Sequence, residues 1–140
     1  MIGALLGIAG LIYSVLGLLH AVFTLLDERH PRRLAPDDPA VVVAMQGSKL
    51  RLSRGATTMW QALISFNLTH SLAALMLGAA CFIVAACFRV FAFPPVALFA
   101  LAGVSGLVSA IGLRYWFGVP RAGSLVATLC LLAAAVLYAF

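Results

Sequence analysis

Charge is scarce in this chain, and what there is lies almost entirely outside the apolar runs. Its 140 residues include 9 lysines and arginines and 4 aspartates and glutamates, whereas 64% are hydrophobic. A soluble domain is nearer half apolar and a quarter charged, so the composition excludes a water-soluble globular protein. No carboxylate falls inside a long apolar run, which removes the acid–base pairs and metal cages that buried Asp and Glu supply. The 3 cysteines, Cys81, Cys87 and Cys130, all sit within apolar runs and form no Cys-x-x-Cys. They read as small packing residues, not as a disulfide framework or a metal site. The net charge of +5 has no aromatic-basic motif beside it, so nucleic acid is not an expected partner. The first apolar run lacks a basic leader and a small-x-small cleavage signal, and is read as a retained span rather than a signal peptide.

What remains is membrane. The expected fold is all-α: an integral membrane four-helix antiparallel bundle, with a short interfacial helix in its one long loop. It forms a single transmembrane domain, 1–140, with spans at about 2–26, 59–88, 96–113 and 122–140. Residues 27–58 are the polar loop. Within it, Asp38 followed by Pro39 is an N-cap and first-turn proline, predicting a helix over 39–48 with Val41, Val42 and Met45 on its apolar face. Thr58 and Gln61 have capping-box spacing and start the second span, with Trp60 in the interfacial aromatic belt.

Two spans carry informative side chains. In the first, Gly3, Gly7, Gly10, Ser14, Gly17, Ala21 and Thr24 recur every three or four residues. Such a seam of small residues lets helix backbones approach closely, within the chain or in self-association through Gly3, Gly7 and Gly10. Tyr13 is expected to pack, and His20 lies beside the seam. In the second span, Asn67, His70 and Ser71 share a face that continues through Trp60 and Ile64 one way and Ala74, Gly78 and Cys81 the other. Polar groups there should turn away from lipid. They serve either as hydrogen-bond glue between helices or as the lining of a site.

Measured from the loop side, His20 lies about 9 Å deep and His70 about 17 Å at helical rise. Within an antiparallel pair they would share a pocket only if the second span extends toward the loop. The candidate site is therefore His70 as acid or base, Asn67 holding an oxygen and Ser71 orienting the imidazole. His20, Trp60 and Thr24 would complete the ligand-binding set. No metal ligand set is evident. The cofactor stays open, with haem or a quinone as candidates.

The stretch Met59-Trp60, Phe66-Asn67-Leu68-Thr69-His70-Ser71, with His20, Asp38-Pro39-Ala40 and Met45, resembles a family of small bacterial four-span membrane proteins without an assigned function. The likeness covers the first two spans and the loop between them. It implies a four-helix fold in a bacterial inner membrane and a special role for the Asn-His-Ser face, and no activity. The chain does not resemble the glutathione-using four-span enzymes, whose Arg-x-x-x-Asn-x-x-Glu is absent, nor the four-span sterol isomerase-like proteins with their intramembrane acids.

Basic residues set the expected orientation. Arg29, Arg32, Arg33, Lys49, Arg51, Arg54, Arg114 and Arg121 fall on one side and Arg89 on the other. This places loop 27–58 in the cytoplasm and both termini outside. The composition favours a non-catalytic accessory or scaffold subunit whose partners are the lipid bilayer and other membrane proteins. The alternatives are an intramembrane enzyme on a lipid- or quinone-like substrate using His70 and Asn67, or a bis-His haem or metal redox module.

Overall fold

The computed structural model describes residues 1–88, 90 and 93–140. The elements run α1 (Ile2–Arg29), α2 (Pro39–Gly47), a 3₁₀ turn at Arg51–Ser53, α3 (Met59–Cys87), α4 (Pro95–Tyr115) and α5 (Gly118–Ala139). Among the described residues the fold is all-helical, and α1, α3, α4 and α5 are each long and apolar enough to cross a bilayer. The four spans and the loop helix match the sequence expectation. Three boundaries move. α1 runs on through Asp27-Glu28-Arg29. α5 starts at Gly118, so Pro120 lies inside its first turn, where its missing N–H costs nothing. The link between α4 and α5 shrinks to Trp116 and Phe117. The connection expected at 89–95 includes Arg89, Phe91 and Ala92, which lie outside the described residues.

The chain clusters into two compact units. The first comprises Met1–Leu16 and Ala74–Phe140 and draws on all four long helices. Its core is Leu6, Ala9 and Tyr13 of α1, Cys81 of α3, Ala102 of α4, and Ala127, Leu131 and Ala134 of α5. Small residues set its closest crossing. A Cβ on Gly78 would fall 2.5 Å from the Ser14 Oγ and 2.9 Å from the Gly10 carbonyl oxygen, so α3 has no room for a side chain at Gly78. Gly3 is covered by the Phe88 ring, whereas Gly7 faces open space. Leu6, Ala9, Gly10 and Tyr13 of α1 are buried in this unit, and of the expected seam Gly3, Gly10 and Ser14 lie in close packing whereas Gly7 does not.

This core also holds polar groups. The Tyr13 hydroxyl is hydrogen-bonded to Ser105 at 2.5 Å, Ser105 to Thr128 at 2.6 Å, and Thr128 to Ser109 at 2.8 Å. α1, α4 and α5 are thus joined by a chain of hydroxyls. The expectation that only the first two spans bear significant polar groups is corrected here. In an apolar medium the O–H groups of Ser105 and Ser109 need hydrogen-bond partners, and both meet the Thr128 hydroxyl.

The second unit is Gly17–Ala73. Asp38 accepts the Ala40 N–H at 2.8 Å and caps α2, as Asp-Pro predicts. The Thr58–Gln61 capping box forms with both bonds, 2.9 and 3.2 Å. Val42 of α2 packs on Trp60 and Ile64 at the start of α3, with Met45 and Leu68 beside them. Between the two helices, Leu50 N–H bonds to Thr57 O and Met59 N–H to Ser48 O, closing a tight loop. Arg54 (φ 50°) and Gly55 (φ 87°) turn it through left-handed backbone.

Candidate functional site

The first-turn positions of α3 are fixed by the capping box, and from there helical spacing sets which residues look inward. Trp60, Ile64, Ser71, Gly78 and Cys81 are all buried. The face proposed from sequence is thus the packed face of α3, and Asn67 and His70 lie on it half-buried.

His20 and His70 meet. Their ring centroids are 5.4 Å apart and the planes cross at 72°, an edge-to-face contact. The His20 Nε2 is buried and has no hydrogen-bond partner among the described residues. A buried imidazole nitrogen without a partner costs free energy, on the order of 1–3 kcal/mol. It is the most chemically unspent atom of this unit.

The remaining expected site residues are engaged elsewhere or not at all. Thr24 is fully buried, and its hydroxyl donates to the His20 carbonyl oxygen at 2.8 Å. Ser71 donates to the Asn67 carbonyl oxygen at 2.8 Å. Both are helical back-bonds to the residue four before. The Asn67 amide makes no hydrogen bond with a described residue. Among the described residues no three His, Cys, Asp or Glu side chains converge as a metal site.

Two features escaped sequence reasoning. The first is Asp27, 1% exposed at the end of α1. Its carboxylate accepts backbone N–H bonds from Arg32, Arg33, Leu34 and Ala35, at 2.5–3.2 Å. Four amides of one loop thus wrap a single anion. The signal was present: an acid in the last turn of a helix opposes the macrodipole and needs donors from beyond it. Arg33 of the same loop lies over the Phe23 ring at 5.3 Å, a cation–π contact.

The second is an open groove of about 300 Å³. It is lined by Glu28 of α1 and by Trp60, Gln61, Ile64, Ser65, Leu68 and Thr69 of α3. Trp60 lines this groove, and His20, Thr24, Asn67 and His70 are not among its lining residues.

No family model, curated protein or solved structure matches the chain. Fold and geometry define the class: a small multi-pass helical membrane protein.

Proposed function

We propose that the protein is a non-catalytic accessory or scaffold subunit of a membrane complex, with its loop 27–58 in the cytoplasm and its termini outside. One observation carries this reading. The hydroxyls within the spans are mostly spent on the protein itself: Tyr13, Ser105, Thr128 and Ser109 on each other, and Thr24, Thr69 and Ser71 on helix carbonyls. A nucleophile needs a base within hydrogen-bond reach, and these hydroxyls are bonded to one another or to helix carbonyls. The outward surfaces carry large apolar side chains such as Leu11, Leu18, Met76, Ile83 and Leu107, suited to lipid or to other helices. Eight basic side chains to one support the orientation.

The test removes both imidazoles. If the role is structural, His20→Ala with His70→Ala leaves the protein co-purifying with its membrane partner in unchanged ratio. Loss of a cellular activity while the folded complex persists would overturn the reading.

The contact between His20 and His70, with its unspent Nε2, favours a second one. An intramembrane enzyme acting on a lipid- or quinone-like molecule would use His70 as acid or base, His20 as a second proton carrier and the free Asn67 amide to hold an oxygen. Activity lost in His70→Ala and kept in Ser71→Ala would support it.

A further inference from the structure

We infer that the groove between Glu28 and Thr69 is a binding site for the headgroup of an aminophospholipid, phosphatidylethanolamine. The inference does not depend on whether the chain serves a larger complex.

The groove holds polar groups of both kinds, acceptor and donor, beside apolar side chains. Glu28 is exposed and makes no ion pair among the described residues, although Arg29, Arg32 and Arg33 follow it closely. The Trp60 indole N–H makes no hydrogen bond with a described residue and retains some accessible surface. The Ser65 hydroxyl makes no bond with a described residue, in contrast to Thr69 one turn later, whose hydroxyl donates to the Phe66 carbonyl oxygen at 2.8 Å. Gln61 uses its oxygen on the Thr58 N–H, which leaves its NH₂ free to donate.

A ligand that satisfies all of them carries a cation beside an anion. An ammonium donates to the Glu28 carboxylate, with the Trp60 ring beside it as a cation–π surface. A phosphate accepts from the Trp60 N–H, the Gln61 NH₂ and the Ser65 O–H. The order along α3 is also that of a lipid. Glu28, Trp60 and Gln61 adjoin the polar loop, and Ile64 and Leu68 continue toward the span. From Trp60 to Thr69 the helix rises about 13 Å, which spans the step from headgroup to first methylenes. A volume of about 300 Å³ is at the small end of ligand sites and takes a headgroup, not a whole lipid. A primary amine fits a single carboxylate better than a trimethylammonium does, because it can donate hydrogen bonds.

Native mass spectrometry of the purified chain tests this with dioleoyl phosphatidylethanolamine, phosphatidylglycerol and phosphatidylcholine at equal concentration. The expected result is retention of the ethanolamine lipid by about tenfold over each of the others. Glu28→Gln, at an exposed position, should bring the ethanolamine-to-glycerol ratio near one with helical content unchanged. Ser65→Ala should weaken both lipids together. Equal retention of ethanolamine and glycerol lipids by the wild-type chain, or an unchanged ratio in Glu28→Gln, overturns the inference. Choline lipid held as well as ethanolamine lipid overturns the assignment to a primary amine.

Discussion

The Asp27 carboxylate and the Leu34 backbone N–H lie 2.5 Å apart, tying the end of α1 to a residue seven positions along the loop. With three neighbouring amides on the same carboxylate, this contact sets the path by which the chain leaves the membrane. Asp27→Asn keeps the shape and loses the charge, and hydrogen bonds to a charged acceptor contribute about 1.5–3 kcal/mol. The amides of residues 32–35 should then exchange with solvent faster by about tenfold or more. Hydrogen exchange read by mass spectrometry checks it, and unchanged protection would mean the loop holds its path without the anion.

The hydroxyl chain of the first unit predicts an order of effects. Tyr13→Phe removes a terminal member, whereas Ser105→Ala removes one that is bonded on both sides. Hydrogen bonds between membrane helices contribute about 0.6 kcal/mol on average and up to about 1.7. Tyr13→Phe should therefore cost about 0.6 kcal/mol and Ser105→Ala roughly twice that. Unfolding in mixed micelles measures both, and a Tyr13→Phe loss larger than that of Ser105→Ala would contradict the chain as drawn.

Glycine positions separate packed from open surface. A side chain at Gly78 meets Ser14 and Gly10 backbone, so Gly78→Leu should destabilise by about 3 kcal/mol or more. Gly7 has nothing within 4 Å of where a Cβ would stand, and Gly7→Leu should leave the melting temperature of the isolated chain unchanged. If Gly7→Leu alters only the size of the assembly in membranes, that face is where another helix docks.

Orientation is checked by labelling. Ser48→Cys lies in the polar loop and Met1→Cys, behind an added initiator methionine, at the first terminus. In intact cells a membrane-impermeant maleimide should modify the terminal cysteine and not the loop one. The reverse pattern inverts the topology.

The four spans were legible because each is a continuous apolar run bounded by charge or proline, and lipid admits no other spanning element for such runs than a helix. Asp38-Pro39 and Thr58-x-x-Gln61 were legible as caps because their chemistry is local. The meeting of His20 and His70 was legible only in part. Counting from Leu26 separated their depths by about 8 Å at helical rise, whereas α1 ends at Arg29, which brings the two depths within about 3 Å. The Asp27 turn extends the helix, and its partners are backbone amides that a sequence pattern does not display. The Tyr13 chain was hidden for a different reason: Ser105, Ser109 and Thr128 look like small residues until the packing of α4 on α5 faces them at one another. The Glu28 groove depends on which polar groups are left over, and that is decided only after every other bond has formed.

The proposed scaffold role rests on hydroxyls that bond within the chain and on an apolar exterior. The most direct measurement is the mass of the particle released from native membranes in a lipid-preserving polymer. The account predicts a complex containing the 14.7 kDa chain and a second membrane polypeptide in fixed ratio. A particle holding this chain alone, with only lipid, would contradict it.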